Sequence, residues 1–133
     1  MNPLSPGPQV DDAEDLYRGI TTESWWVEAE NRPSSAAFRH PDFSVDIASL
    51  AGSPAHTLGH LPPGSGIVSF NCGVAHGIGF VVRREPDPAH PENHAHANVY
   101  GSPSASQRKR MAQRLATECT LVHQPNFEHR GDA

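Results

Sequence analysis

Apolar and polar positions alternate through Leu16 to Ile20 (LYRGI), which predicts a strand with Leu16, Arg18 and Ile20 on one face and Tyr17 and Gly19 on the other. The same period of two recurs over Phe43 to Ile47 (FSVDI), with Phe43, Val45 and Ile47 on the buried side. Ile67 to Phe80 (IVSFNCGVAHGIGF) suits either a buried strand or a packed helix, and four glycines from Gly66 to Gly79 weaken the helix. It reads as a strand from Ile67 to Asn71 and a short helical turn around Val74 to Ile78. Phe80 to Arg84 resumes as a strand that Pro86 ends, and His96 to Tyr100 reads as the last strand, closed by Gly101.

The period then changes. Ser104 with Gln107 three residues later has the form of a capping box, with Pro103 just outside it. Met111, Leu115, Cys119 and Val122 follow at near-helical spacing, widened by Ala112 and Ala116, so this helix packs through one apolar stripe. Thr21 to Asn31, with Trp25 and Trp26 among acids, reads as a short helix or an extended segment. Ala51 to Gly66 and Asp87 to Asn93 read as loops rich in Gly, Pro and His. Met1 to Asp15 combines three prolines with four acids and has little to bury, so residues 1–15 read as a disordered leader. Residues 123–133 read as a flexible tail, and residues 16–122 as one folded unit. The expected architecture is α+β: a small mixed or antiparallel sheet with a long C-terminal helix packed on it.

Composition narrows the function classes. A chain of 133 residues suits one domain, and a net charge of −5 argues against a general nucleic-acid binder, which needs a basic face. No run approaches the roughly 20 apolar residues that span a bilayer, and Met1 to Val10 lacks the regions of a signal peptide, so no membrane role and a cytoplasmic location are expected. The two cysteines, Cys72 and Cys119, do not form a C-x-x-C pair and are expected to be reduced.

Three groupings offer chemistry. An arginine flanked by core positions, as Arg18 is, either snorkels at a sheet edge or is held for a ligand. Arg18 and Arg32 can fork to a phosphate or carboxylate, Ser34 and Ser35 can complete an anion cradle, and His96 can donate or transfer a proton. Nine histidines invite a metal reading through His56 with His60, His76, and His90 with His94 and His96. On a helix His56 and His60 would share a face, although the nearby Gly and Pro oppose a regular helix. His94 and His96, two apart at the start of a strand, would also share one, and His60 is a further candidate ligand. No H-E-x-x-H or paired-thiolate motif is present. Cys72 would become a nucleophile only beside a histidine, with His76 or His96 as the candidates.

LYRGI, RPSSAAF, FSVDI and the PENHAHANVYG stretch resemble a group of short, functionally uncharacterised bacterial proteins with an Arg-Pro-Ser-Ser-x-x-Phe core and a Pro-x-His-Ala strand. More distantly, the early Tyr-Arg strand and serine-rich segment are similar to the opening of ADP-ribosyltransferase-like and RES-type NAD-consuming toxins. That resemblance implies an arginine gripping the dinucleotide and a serine supporting it, which Arg18, Arg32, Ser34 or Ser35 would supply. Glu85, Glu92 and Glu118 sit in no motif matching the late glutamate of those families. The expected function is therefore a small bacterial binding or regulatory module for a protein partner or an anionic ligand, in a defence or toxin-related setting. The alternatives are an NAD- or nucleotide-using enzyme, in which His96 is catalytic, and a histidine metal-binding domain.

Overall fold

The computed structural model describes residues 7–127. In chain order the elements are β1 (Asp15–Ile20), β2 (Trp26–Val27), β3 (Arg32–Pro33), β4 (Asp42–Ile47), α1 (Ala48–Ala51), α2 (Pro54–Leu58), β5 (Gly66–Asn71), α3 (Cys72–Ile78), β6 (Val81–Arg84), β7 (His96–Tyr100), α4 (Ala105–Thr117) and β8 (Thr120–His123). Six strands form one antiparallel sheet in the order β6-β7-β4-β1-β5-β8, and β2 pairs with β3 in a separate ribbon. The fold is α+β, with the C-terminal helix on the sheet.

Residues opposite one another in an antiparallel ladder project to the same side, so the register sorts the side chains. Leu16 opposes Ile47 and Phe70, Phe43 opposes Val99, and Val45 opposes Ala97. These make the core face. Half of the predicted capping box forms, with Ser104 Oγ accepting from the Gln107 N–H at 3.3 Å while the Ser104 N–H bonds to Ser102 Oγ in place of Gln107, and α4 buries Ala112, Leu115 and Ala116 in the core cluster. A 3-10 turn at Ser35–Phe38 covers the same face and seats Phe38 edge-on to Phe43 and Phe70, at 5.7 and 6.1 Å. The opposite face carries Tyr17, Asp46, Ser44, His96 and Asn98, because Tyr17 opposes Asp46, Asp46 opposes His96, and Ser44 opposes Asn98.

Several local expectations change. β1 lies in the middle of the sheet, so Arg18 is not at an edge. The reading of His96 to Tyr100 as the last strand is corrected by β8: the helix stops at Thr117, and the β-branched Thr120 and Val122 continue as a strand paired with β5. Within the expected loop at 51–66, Pro54 takes a first-turn position and opens the short helix α2, which needs no donor from a proline there. Thr21 to Asn31 resolves into two 3-10 turns around β2, the second ending at Asn31 with a left-handed φ of 51°. Residues 7–14, expected to be disordered, run alongside β6 and α3: Val10 is buried, its N–H bonds to the Val82 carbonyl, and the Gly73 N–H bonds to the Asp12 carbonyl. Val10 in the core and backbone bonds from Arg84 and Cys72 to the Pro8 and Glu14 carbonyls dock this segment. The rest of the leader and the end of the tail lie outside the described residues. Among those described, no helix is long and apolar enough to cross a membrane.

Candidate functional site

The polar face of the sheet floors a cleft of about 90 Å³. Tyr17, Ser44, Asp46 and His96 rise from β1, β4 and β7, Thr57, His60 and Leu61 come from α2 and the turn after it, and Asp87, His90 and Asn93 come from the segment between β6 and β7. Gly19 lets the wall close: a Cβ there would lie 2.8 Å from both terminal carbons of Leu61. A larger residue at this position would have to push the Leu61 side chain aside.

Asp46 anchors the cleft. It is buried, accepts the Thr57 hydroxyl at 2.7 Å and the Asn93 amide N–H at 2.8 Å, and forms no ion pair among the described residues. Asn93 is fixed in turn, its Oδ1 accepting from the Ala95 N–H at 3.1 Å and from His56 Nε2 at 2.8 Å. That contact assigns the His56 proton to Nε2 and leaves Nδ1 as the ring's lone pair. His60 Nδ1 lies 3.0 Å from the His56 carbonyl, which only accepts, so the His60 proton is on Nδ1 and Nε2 is the free base.

The three rings of His56, His60 and His90 follow one another edge-on, with centroids 5.1 and 4.8 Å apart. Glu92, 65% exposed at the outer edge of the cleft, lies against two of them, its Oε1 at 3.5 Å from His60 Nε2 and 3.6 Å from His90 Nδ1. A hydrogen bond from its own backbone and the adjacent His90 and His60 hold the Glu92 carboxyl below its ordinary range. Ligand atoms of His60, His90 and Glu92 lie within 4.8 Å of one another, as do those of Asp46, His56 and His60. Around a tetrahedral zinc-type ion with nitrogen and oxygen ligands, neighbouring donors stand about 3.3 Å apart. The separations of 3.5 and 3.6 Å are close to that edge. The His60 Nδ1–H bond to a carbonyl is also the contact that orients a ligating histidine.

On the floor beside this cluster, His96 Nδ1 donates to the Glu85 carbonyl at 2.6 Å and Nε2 accepts from Ser44 Oγ at 3.0 Å. His96 is buried, whereas Ser44 is exposed.

The residues expected to grip an anion are distributed differently. Arg18 borders the cleft where the β1–β4 ladder, paired only at Leu16↔Ile47 and Tyr17↔Asp46, comes apart. Its guanidinium turns to the core face. It lies between the Trp25 and Phe43 rings at 4.6 and 4.8 Å, donates Nε and Nη2 to the Ala37 carbonyl at 3.1 and 2.9 Å, and gives Nη1 to the Ser44 carbonyl at 3.2 Å. Burial lowers its pKa from 12.5 to about 10, leaving it charged at neutral pH. Arg32 pairs with Glu30 at 2.7 Å on the surface, Ser34 Oγ caps the 3-10 turn through the Ala36 N–H at 3.2 Å, and Ser35 Oγ accepts from Arg39 at 2.8 Å. Arg32, Ser34 and Ser35 do not border the cleft. Of the expected metal ligands, His60 belongs to the clusters described above. His94, exposed and ahead of β7, and His96, with both nitrogens engaged, belong to none.

Sequence reasoning did not find Asp46, Thr57, Asn93 or Glu92. Asp46 carried one usable signal: an acid in FSVDI falls on the strand's second face, beside core positions and with no base nearby in sequence. No protein-family model matches this chain, and no curated protein or solved structure matches it significantly.

Proposed function

We propose that the chain is a small binding module whose cleft holds a divalent transition-metal ion through His60 Nε2, a His90 nitrogen and the Glu92 carboxylate, with a coordination position open to an anionic ligand. The observation that carries this reading is the placement of Glu92 Oε1 at near-tetrahedral separations from two imidazoles. Asp46 supports it, since a buried carboxylate without an ion pair favours a cation nearby. His56, Asn93 and Thr57 act from behind, fixing the ring of His60 and the carboxylate of Asp46. Three protein ligands and one open position is the pattern of a reactive or ligand-exchanging centre and not of a closed structural one. A cation here supplies the positive anchor for an anionic ligand that the sequence suggested in Arg18 and Arg32.

The test is thermal unfolding of tag-free protein carrying Cys72→Ala, which leaves the thiol out of metal binding, with zinc and with chelator, together with elemental analysis. With free ion a hundredfold above its dissociation constant, stability should rise by about 2.7 kcal/mol. His60→Ala should abolish that rise at this centre. An unchanged midpoint, or a His60→Ala protein with undiminished affinity, overturns the proposal.

A second reading, a proton-transfer enzyme in the same cleft, is favoured by the Ser44–His96 contact, in which a histidine oriented by a carbonyl accepts from an exposed hydroxyl. It requires that an organophosphonate probe label Ser44 and that His96→Ala prevent the labelling. Unlabelled Ser44 ends it.

A further inference from the structure

A second cluster lies away from the cleft, where the N-terminal segment crosses α3. Cys72 is the first residue of α3, and His76 stands one turn later, so the two side chains stack along one helix face. Cys72 Sγ is 3.7 Å from His76 Nε2. His76 Nδ1 is bonded to Asp12 Oδ1, which assigns the ring proton to Nδ1 and leaves the lone pair on Nε2, with the sulfur beside the ring at 4.0 Å from Nδ1. The Gln9 side-chain amide also reaches His76 Nε2, at 3.5 Å, and the oxygen and nitrogen of that amide exchange places on a flip.

From these positions we propose that Cys72 Sγ, His76 Nε2 and the Gln9 amide oxygen form a site for a thiophilic divalent cation, with Asp12 orienting His76 from behind. Around a tetrahedral ion, a thiolate and an imidazole stand about 3.6 Å apart, given metal bonds near 2.3 and 2.05 Å. The separation of 3.7 Å is close to that, and because Sγ also lies 4.0 Å from Nδ1, a turn of the His76 ring is needed to aim Nε2 at an ion shared with sulfur. The carboxylate–histidine contact is the one that accompanies metal-bound histidines. Ligand atoms of Asp12, Cys72 and His76 all lie within 4.8 Å of one another.

Charge separates this site from a catalytic thiol. Cys72 is wholly buried, its S–H points to the Val10 carbonyl at 3.6 Å, and burial, followed by Asp12, Asp11 and Glu14, pushes its pKa up to about 12. The same three carboxylates that disfavour a bare thiolate attract a cation. When the sulfur–metal bond forms, the S–H bond breaks and its proton passes to solvent, since His76 Nε2 is taken by the metal. The ion has an approach from the outer side, where the Asp12 side chain is 73% exposed and that of His76 14%. This site is independent of the histidine centre: it has a sulfur donor and that centre has none.

The experiment uses the full chain carrying Cys119→Ser, titrated with cobalt and then cadmium. The expected result is a near-ultraviolet thiolate-to-cobalt charge-transfer band and release of one proton per thiolate-bound ion in weak buffer. Cys72→Ala and His76→Ala should lose the band, and His60→Ala should keep it. Asp12→Asn, a change at an exposed position, should weaken cadmium binding roughly 10–100-fold with the band's shape unchanged. The proposal is overturned by saturating cobalt without such a band, by a band that survives His76→Ala, by Asp12→Asn binding cadmium as tightly as its parent, or by rapid alkylation of metal-free Cys72 at neutral pH, which identifies a nucleophilic triad instead.

Discussion

Replacing Arg18 with Met is the most informative single perturbation of the core. Methionine keeps an unbranched stem between the Trp25 and Phe43 rings and removes only the guanidinium. The structure shows what is lost: three donated bonds to two carbonyls, those of Ala37 and Ser44, and two cation–π contacts at 4.6 and 4.8 Å. Bonds from a charged donor contribute about 1.5–3 kcal/mol each, and a stranded carbonyl costs about 1–3 kcal/mol. Against this stands the burial of the cation: the fall in pKa from 12.5 to about 10 corresponds to roughly 3 kcal/mol of desolvation, which methionine relieves. The balance is a destabilisation of about 2–3 kcal/mol for Arg18→Met. Arg18→Ala also loses the stem and should cost about 4 kcal/mol. For a domain of this size the Met variant should melt roughly 10 °C lower, as each kcal/mol shifts the midpoint by about 4 °C. Urea unfolding followed by tryptophan fluorescence and by circular dichroism measures both variants, with Trp25 reporting on the contact itself. If Arg18 were held only for a ligand, relief of desolvation would dominate and Arg18→Met would be as stable as its parent or more so. That result refutes the structural assignment.

The remaining predictions concern the cleft, the helix and the thiols. Asp46→Ala leaves the Thr57 hydroxyl and the Asn93 amide without their acceptor and should cost about 2–3 kcal/mol in urea unfolding while weakening zinc binding. Gly19→Val drives a side chain into Leu61 and should cost about 1–3 kcal/mol, with a fall in metal affinity as the neighbouring His60 is displaced. Ser104→Ala removes the α4 cap, for a loss of about 1 kcal/mol and no change in metal binding. Burial raises Cys72 and Cys119 from 9.0 to about 12, so the native state holds their protons after the unfolded chain has begun to release them. Their contribution to stability is full below about pH 9 and lost as pH rises towards 12, which denaturant midpoints across that range will show if Cys72→Ala flattens the slope.

Local pattern determined a large part of this molecule. The alternation in LYRGI and FSVDI specifies which face of each strand is apolar, and that choice survives in the sheet because a slip of one residue would expose every core side chain. Ser104 and the alanine and leucine stripe that follows determine α4 for a similarly local reason, since a cap and a helical period are satisfied within one element. The short turn at α3 was legible too, as Asn71 accepts from the Val74 N–H and closes the strand into a helix.

Tertiary structure decided what the polar residues do. Arg18 reads from the sequence as either an edge residue or one held for a ligand, because no sequence pattern records two carbonyls and two aromatic rings arriving from residues 25, 37, 43 and 44. The sequence pairs His56 with His60 and sets His90 with His94 and His96, and only the approach of α2 to the segment between β6 and β7 brings His60 to His90 and Glu92. Asp12 reaches His76 across 64 residues of chain. Hydrophobic burial is specified by composition and period, which are properties of short segments. A constellation of ligands depends on distances between segments remote in sequence, and those exist only once the sheet has closed.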